Sequence, residues 1–316
     1  MNRHRAAEHQ VSPAWPQGTQ AALCAAGLDP GWVSEVVERA LAEDLGPDWL
    51  DVTTLATIPP EALGRAQVVA RADGVVAGVP LVGAVMGQTA AHLGLPVPDV
   101  RTRVGDGAPV VRGDVVAEVA GHTRVLLVAE RTMLNLLCRA SGIATHTAKW
   151  AERLAGSGAT VLDTRKTTPG LRAMEKYAVR CGGGTNKRMG LYDVAMIKDN
   201  HKLAAGSLTA AYRAVRAKFP DVDVQVEATT PEEAEEAIRA GARFLLCDNM
   251  TPQVLADTVR RARAAAGGER VELEATGGLT LEAVAEYATT GVDYLSVGGL
   301  THSSPVLDLA MDLITD

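Results

Sequence analysis

Several basic residues come after short apolar runs of the chain, lie in a glycine-rich stretch or stand at the start of a long helical stretch. They are Arg131, Arg165, Lys166, Lys187, Arg188 and Lys198. Cations that converge on one pocket repel one another unless an anion occupies it, and an arginine fork matches a carboxylate or phosphate with two hydrogen bonds. The pattern therefore indicates a pocket for a multiply negative small molecule, although any single basic residue could instead solvate the surface.

Two acidic residues, Glu227 and Asp248, end successive apolar runs 21 positions apart. Adjacent parallel strands would bring them side by side at one edge of a sheet. They could pair with the neighbouring cations, bind ribose hydroxyls, hold a Mg²⁺ ion that is itself bound to a pyrophosphate, or stabilise a cationic transition state. The residues alone leave these four roles open.

Glycine pairs follow the last two apolar runs, which end in EATGG and SVGG. The residues of interest there are Thr276, Gly277, Gly278, Gly298, Gly299 and His302. Glycine lets backbone N–H groups approach a phosphate closely, and barrel enzymes usually bind phosphate at the end of their last strands. The chain contains no GxSxG, HExxH or GxxxxGK[ST] motif, so hydrolase, metalloprotease and P-loop chemistry gain no support.

Six apolar runs alternate with helical stretches in the second half of the chain, which predicts a parallel sheet covered by helices. The predicted strands are 159–163, 194–198, 222–227, 243–248, 270–275 and 293–298. Each ends in ionisable residues or glycine, and polar strand ends all along a sheet favour a (β/α) barrel over an open sheet with one switch point. Because only six strands can be recognised, we predict an incomplete barrel.

The first half of the chain has a different sequence pattern. Asp29 followed by Pro30 predicts the start of a helix, residues 65–128 form short Val-rich runs broken by glycine, and a long helix is predicted for 130–154. The predicted organisation is a flexible tail, a small domain and a barrel domain whose last helix could pack back on the small domain. Their bounds are 1–22, 23–129 and 130–316.

Composition limits the possible partners. The chain has 316 residues, 47% hydrophobic and 3% aromatic, with a net charge of −7, which disfavours a nucleic-acid surface. It has no apolar stretch near the ~20 residues of a membrane span. The four cysteines are far apart and form no CxxC, so we expect thiols in a cytoplasmic protein.

The motifs together resemble the quinolinate phosphoribosyltransferase family from about Leu28 to Leu309. The matching segments are AERTMLNLLCRASGIAT, VLDTRKTTPGLRAMEKYAVRCGGGTNKRMGLYDVAMIKDNH, VQVEATT, LLCDNM, ELEATGG and YLSVGGLTHS. The resemblance implies an N-terminal α/β sandwich domain, an incomplete barrel and a homodimer with shared active sites, with a higher oligomer left open. It also implies that quinolinate and phosphoribosyl pyrophosphate give nicotinate mononucleotide, pyrophosphate and CO₂ for NAD synthesis, with no organic cofactor.

The resemblance also implies residue roles. Arg131 would reach a quinolinate carboxylate across the dimer interface, and Lys166 would lie between the pyridine and the ribosyl carbon. Glu227 and Asp248 would flank the ribose and the Mg²⁺-pyrophosphate. The residues implied to line the dicarboxylate pocket are Arg165, Lys187, Arg188 and Lys198, and those implied to hold the 5′-phosphate are Thr276, Gly277, Gly278, Gly298 and Gly299, with His302 in the same segment.

The chain departs from the family pattern at three positions. Lys187 replaces the usual histidine, Thr276 the usual serine and Gly299 the usual alanine. The lysine bears on the substrate because it fixes a charge that histidine would lose near neutral pH. Two alternative functions therefore stay open: a phosphoribosyltransferase of the same fold that acts on another aromatic acid, and a non-catalytic barrel that binds phosphorylated metabolites.

Overall fold

The computed structural model describes residues 15–314 and divides the chain into two compact units. The first unit runs to Arg139 and includes the segment from Leu307 onward, and the second comprises Ala140–Val306. The division therefore lies at 139/140, inside a long helix, and not at 129/130. No helix within residues 15–314 combines the length and apolar character needed to cross a membrane.

The first unit is an α/β sandwich built on an antiparallel sheet of order β12-β1-β5-β3. Helix α4 is buried along most of its length and contacts α1, α2 and the sheet. The elements are α1 (Thr19–Ala25), α2 (Pro30–Leu45), α3 (Val52–Thr57), β1 (Leu63–Ala70), β2 (Gly74–Val75), α4 (Val79–Leu93), β3 (Asp99–Thr102), β4 (Pro109–Val110), β5 (Val115–His122), the first part of α5 (Thr123–Leu154) and β12 (Leu309–Ile314).

The predicted flexible tail is too long at its C-terminal end. Helix α1 begins at Thr19, and the Thr19 side chain is buried. A Cβ atom at Gly83 of α4 would overlap the Thr19 hydroxyl, so the glycine permits this close approach. Residues 1–14 of the predicted tail lie outside the described residues.

The predicted last helix is wrong, because the chain ends in strand β12. This strand pairs antiparallel with β1, with Val68 opposite Met311. Leu309 and Met311 are buried and Ala310 between them is less buried, which is a strand period of two over these three residues. Pairing with β1 satisfies the backbone N–H and C=O groups of these residues, which favours the strand.

Helix α2 begins where the sequence predicts, since the Asp29 carboxylate accepts a hydrogen bond of 2.8 Å from the Trp32 N–H. Helix α5 begins at Thr123, seven residues before the predicted start at Glu130. Its first turns contain the run VLLV, which resembles a strand locally. Burial of Val125 and Ala129, four positions apart, shows that the run packs as one helix face.

The second unit is an incomplete (β/α) barrel, and all six predicted strands are confirmed. The strands form one parallel sheet of order β6-β11-β10-β9-β8-β7. The elements after α5 are β6 (Thr160–Leu162), α6 (Arg172–Cys181), β7 (Ala195–Ile197), α7 (Asp199–Ala205), α8 (Leu208–Lys218), β8 (Val224–Ala228), α9 (Pro231–Ala240), β9 (Phe244–Asp248), α10 (Pro252–Ala265), β10 (Glu272–Thr276), α11 (Val284–Ala288), β11 (Tyr294–Ser296) and α12 (Gly299–His302).

The strand registers place one aliphatic row on one face of this sheet. Val226, Leu245, Leu273 and Leu295 are fully buried, and neighbouring strands pair Val226 with Leu245 and Leu245 with Leu273. Because side chains alternate along a strand, the residues beside this row point to the other face. The polar residues of the strand ends are therefore aligned on that second face.

The open edge at β6 is extended by the loop between α6 and β7. Thr185 donates its N–H to the Val161 carbonyl at 2.9 Å, and its own carbonyl accepts from the Asp163 N–H at 3.2 Å. This isolated parallel bridge attaches the glycine-rich stretch to β6. The loop that carries Lys187 and Arg188 is therefore tied into the sheet.

Candidate active site

Three acidic side chains and a threonine share the polar face of the barrel sheet. Glu227 and Glu274 are both opposite Leu246 of β9, and Asp248 is two residues farther along β9, beside Thr276. An interval of two keeps Asp248 on the same face as Leu246. The expected neighbourhood of Glu227 and Asp248 is thus present, and Glu274 joins it as a third carboxylate.

Glu227 forms an ion pair with Lys198 of the preceding strand end. The Lys198 Nζ lies 2.8 Å from Glu227 Oε2. The lysine side chain is 49% exposed and the glutamate side chain 8%, so the pair lies at the edge of the barrel with its cation towards solvent. Lys198 therefore neutralises Glu227 and also presents a positive group to a ligand. Both roles are expected from the sequence.

Asp248 is held in an environment that disfavours its charge. Burial, and then the negative charge of Glu227, raise the pKa of Asp248, while a 2.7 Å hydrogen bond from Asn249 Nδ2 opposes that rise. A cation or a polarised hydroxyl close to both carboxylates would relieve their repulsion. This is the environment expected of a group that meets developing positive charge.

Gly277 makes the turn after β10 possible. Its φ of 88° lies in the left-handed region, and a Cβ there would overlap the side chain of Asn249. The Asn249 N–H donates to the Thr276 carbonyl at 2.9 Å, which joins the ends of β9 and β10. Gly278, with φ 60°, continues the turn and is exposed.

Lys166 and Gly298 lie against each other. A Cβ on Gly298 would overlap Lys166 Cδ and would come within 3.2 Å of His302 Nε2. The hydroxyl of Thr301 donates to the Lys166 carbonyl at 2.7 Å. The exposed Lys166 side chain is therefore positioned beside the short turn that contains Gly299 and His302, which brings these predicted site residues together.

Asp163 connects the two basic loops. These are the loop after β6, with Arg165 and Lys166, and the loop before β7, with Lys187 and Arg188. The buried Asp163 carboxylate accepts hydrogen bonds from Lys176 Nζ at 2.5 Å, Asn186 Nδ2 at 2.6 Å and the Lys187 N–H at 2.8 Å. The sequence analysis did not assign Asp163 a role. Its position between the apolar run VL and the basic TRK was the available signal.

Lys187 points into the barrel sheet, where it meets an acid that the sequence analysis missed. Its Nζ lies 2.6 Å from Glu274, and the two side chains are 7% and 0% exposed. Burial lowers the pKa of Lys187, and the Glu274 carboxylate opposes that shift. The signal for Glu274 was a charged residue inside the otherwise apolar run VELEA.

Arg165 and Arg188 are close enough for their charges to repel. Burial, and then the charge of Arg165, lower the pKa of Arg188. Arg188 Nη1 donates to the Val194 carbonyl at 3.0 Å, and the buried Arg165 Nε has no hydrogen-bond partner among residues 15–314. Two neighbouring guanidinium groups without a carboxylate partner form a site for an anion.

Arg131 is the one predicted site residue outside the second unit. It is an exposed residue of helix α5 in the first unit. The structure therefore leaves its role in the barrel site as a prediction.

The residues fit a magnesium ion only in part. Glu227 and Asp248 supply the oxygen ligands that Mg²⁺ prefers. The described residues contain no group of three or more His, Cys, Asp or Glu side chains arranged to hold a metal. Such an ion would need most of its ligands from a bound phosphate compound, as the sequence analysis expects.

Comparisons with known proteins give one consistent result. The family model for the C-terminal domain of quinolinate phosphoribosyl transferase matches residues 143–312, and the model for the N-terminal domain matches 51–141. The nicotinate-nucleotide pyrophosphorylase [carboxylating] of Mycobacterium leprae is 45% identical over 279 residues, covering 88% of this chain and 96% of that protein. A probable enzyme of the same name from Bacillus subtilis is 41% identical over 282 residues, covering 89% and 93%.

Solved structures agree with the sequence relatives. The nicotinate-nucleotide pyrophosphorylase of Francisella tularensis superposes with a TM-score of 0.82 at 31% identity, covering 91% of this chain and 98% of that one. NadC from Streptococcus pyogenes gives 0.83 at 35% identity with the same coverage. Both units of the chain thus have counterparts in one kind of protein.

Proposed function

Because the chain belongs to the quinolinate phosphoribosyltransferase family, we propose a role in that reaction for each charged group of the barrel. The enzyme transfers phosphoribosyl from phosphoribosyl pyrophosphate to quinolinate with decarboxylation, in NAD biosynthesis. The observation that carries the assignment of roles is the pair Arg165 and Arg188, which repel each other and form no ion pair with a carboxylate within residues 15–314, although the Asp193 charge partly offsets the repulsion at Arg188. Quinolinate, a dicarboxylate, supplies the missing negative charge.

The dicarboxylate pocket is formed by groups that follow β6 and β7 and by one group from the loop between α6 and β7. Arg165 and Arg188 bind carboxylate oxygens, and Lys198 adds a third positive group that Glu227 already orients. Lys187 remains a predicted contact of the same substrate, and its pairing with Glu274 reduces the charge it can offer. The number of cations without a paired acid thus matches the two carboxylates of the substrate. This match makes the pocket selective for a dicarboxylate.

Glu227 and Asp248 stabilise the ribosyl carbon during transfer. The bond from that carbon to pyrophosphate breaks with its electron pair leaving on the pyrophosphate oxygen, and positive charge develops on the sugar. Fixed carboxylates beside the sugar stabilise that charge electrostatically. The raised pKa of Asp248 fits this role, since burial and the Glu227 charge outweigh the nearby Lys198 charge and a positive charge beside the carboxylate would stabilise its anion.

Lys166 acts where the two substrates meet. Its Cδ lies beside Gly298 and its carbonyl accepts a hydrogen bond from Thr301, which supports a role for its ammonium group between the acid substrate and the glycine-rich turns. The pyridine nitrogen then forms a bond to the ribosyl carbon and becomes positive. That charge accepts the electron pair left on the ring when the adjacent carboxylate departs as CO₂, and a proton replaces it at the same carbon.

The phosphate end is formed by the turns after β10 and β11. The residues are Thr276, Gly277 and Gly278 in one turn and Gly298 and Gly299 in the other, and the four glycines lack a Cβ that would keep a phosphate from the backbone. Such turns bind the 5′-phosphate. Glu227 and Asp248 would hold Mg²⁺ together with the pyrophosphate, and such an ion would supply positive charge to neutralise the leaving group.

Assembly and compartment complete the proposal. We expect a homodimer in which Arg131 of one protomer serves the site of the other, and its exposure on α5 is compatible with such a role. We also expect a cytoplasmic enzyme. Support comes from the four cysteines, all within the described residues, which are thiols and not disulfides.

The test is a complete reaction balance. The protein is incubated with phosphoribosyl pyrophosphate, Mg²⁺ and quinolinate, and nicotinate mononucleotide, pyrophosphate and CO₂ are measured; equal amounts of all three are expected. Nicotinate, which lacks the second carboxylate, serves as the control acid. Faster turnover of nicotinate or another aromatic acid would contradict the proposed dicarboxylate pocket.

A further inference from the structure

Helix α6 contacts both basic loops of the site through charged side chains on its surface. Glu175 accepts hydrogen bonds from the N–H and hydroxyl of Thr168, at 3.0 and 2.7 Å, in the loop after β6. Lys176 donates to the Lys187 carbonyl at 3.2 Å in the loop before β7. The helix therefore lies where it can set the distance between the two loops.

Arg172, like Lys176, is an α6 residue that bonds to both loops at once. Its Nε donates to the Thr167 hydroxyl at 3.0 Å and its Nη2 to the Arg165 carbonyl at 3.5 Å, both in the first loop. Its Nη1 donates to the Met189 carbonyl at 3.1 Å in the second loop. A planar guanidinium offers these three directions in a fixed fork, which a lysine ammonium does not.

A series of hydrogen bonds couples the contact between Arg172 and Met189 to Arg188. The Asp193 carboxylate accepts from the Met189 N–H at 2.5 Å and from the Val194 N–H at 2.9 Å. Arg188 in turn donates to the Val194 carbonyl at 3.0 Å. Holding Met189 therefore holds the turn on which the Arg188 guanidinium rests.

Such a restraint is needed because the two arginines repel. Arg165 lies on the loop whose carbonyl Arg172 binds, and its charge contributes to the lowered pKa of Arg188. Without an anion, repulsion would move the loops apart, and each binding event would have to restore their distance. Groups already fixed at the productive distance avoid that cost.

We propose that Arg172 is a positioning residue that holds Arg165 and Arg188 at one separation for a dicarboxylate. It contacts no reacting atom in this scheme, and its three bonds go to uncharged oxygens. This inference rests on the proposed function, because it assumes that the two arginines bind the acid substrate.

The test compares Arg172→Lys with a matched control. The control Arg263→Lys changes an arginine of α10 that also donates to a loop carbonyl, with Nη2 2.7 Å from the Gly291 oxygen. This contact lies at the ends of the barrel strands opposite to the site. For Arg172→Lys we expect the KM for quinolinate to rise tenfold or more, with the KM for phosphoribosyl pyrophosphate within twofold. Arg263→Lys should change neither KM more than twofold.

Other outcomes would overturn the inference. A purely structural role for Arg172 would lower the melting temperature and leave the KM for quinolinate within twofold of the natural protein, or would raise both KM values equally. Should Arg172→Lys fold poorly, Thr167→Val removes only the hydroxyl that accepts Nε. It should raise the KM for quinolinate about threefold, and an unchanged KM would count against the inference.

A binding measurement separates this inference from the proposed function. Benzene-1,2-dicarboxylate carries two adjacent carboxylates and no ring nitrogen, so it can occupy the pocket without reacting. Calorimetry should show tenfold weaker binding to Arg172→Lys than to the natural protein or Arg263→Lys. If the natural protein binds this probe but does not turn over quinolinate, the proposed function fails while the positioning role is still tested. Equal binding of the probe by all three proteins would refute the positioning role.

Discussion

Lys187 and Glu274 form a buried ion pair in the second unit, with 2.6 Å between Nζ and the carboxylate. They are 87 residues apart in the chain and join the loop before β7 to strand β10. Lys187 also lies 5.9 Å from the ring centroid of Phe244 on the intervening strand β9. The lysine is thus part of the barrel interior as well as a neighbour of the anion pocket.

Glu274→Gln should destabilise the enzyme strongly. Removing one partner leaves the Lys187 charge buried and uncompensated, which costs about 3–5 kcal/mol in comparable pairs. Urea unfolding monitored by circular dichroism measures the loss. The double variant Glu274→Gln/Lys187→Met removes both charges and should recover most of it; a double variant no more stable than Glu274→Gln would contradict the pairing.

Asp248→Asn should raise stability while it lowers activity. The folded-state pKa of Asp248 is raised above 3.8, so ionisation is less favourable in the folded than in the unfolded chain. Stability is therefore lost as pH rises from about 3.8 through the folded pKa, and the loss persists at neutral pH. Replacing Asp248 with asparagine removes this loss of stability.

Melting temperatures of Asp248→Asn and the natural protein should accordingly agree near pH 3 and diverge towards pH 7, with the variant higher. The value of kcat should fall by about 10²–10³, the usual effect of losing one stabilising group. Asp221→Asn, at an exposed loop position, is the control. A variant less stable than the natural protein at pH 7 would show that the carboxylate has a structural role.

Lys166→Ala should lower kcat by about 10²–10³ and leave the melting temperature unchanged. The side chain is exposed and contributes no buried packing, so only the reacting centre loses a cation. Lys218→Ala, on the exposed surface of α8, is the control for a general effect of charge. A rate within threefold of the natural protein would exclude the role assigned to Lys166.

Lys187→His should make quinolinate binding dependent on pH between about 6 and 8. A histidine loses its proton as pH rises through about 6.5, whereas the ordinary pKa of lysine, about 10.4, lies far above that range and Glu274 opposes its lowering by burial. The effect is limited to about 1.5–3 kcal/mol, the value of one charged hydrogen bond, and neighbouring arginines reduce it further. Calorimetry at three pH values measures it; tighter binding by the histidine variant at all three would indicate a different natural acid.

Mixing Arg131→Ala with Lys166→Ala should restore activity if Arg131 serves the partner's site. Each heterodimer would then contain one site with both residues intact, so about a quarter of the natural activity per protomer is expected when subunits exchange at random. Subunit exchange is verified by native mass spectrometry. Activity that stays at the level of the separate variants after exchange would place Arg131 in its own protomer's site or outside both.

Much of the barrel was predictable because its signals are local. Each strand has three to five residues in a mainly apolar segment with a polar end; Glu227 and Asp248 lie in the last two positions of β8 and β9, and Lys166 lies in the loop after β6. Parallel strands then bring those ends together by geometry alone. The prediction failed where local pattern and final state differ: the run VLLV at the start of α5 is helical, and the end of the chain pairs as β12.

The sequence by itself determined the alternation of strands and helices, the types of charged residue at the strand ends and, through its motifs, the family. Only the tertiary structure decided which charges meet: Lys187 with Glu274, Lys198 with Glu227, and Arg172 with both basic loops. Local periodicity depends on a few neighbouring residues, so it can be recognised in a short window. An ion pair between residues far apart in the chain depends on the packing of every element between them, and only the folded chain fixes it.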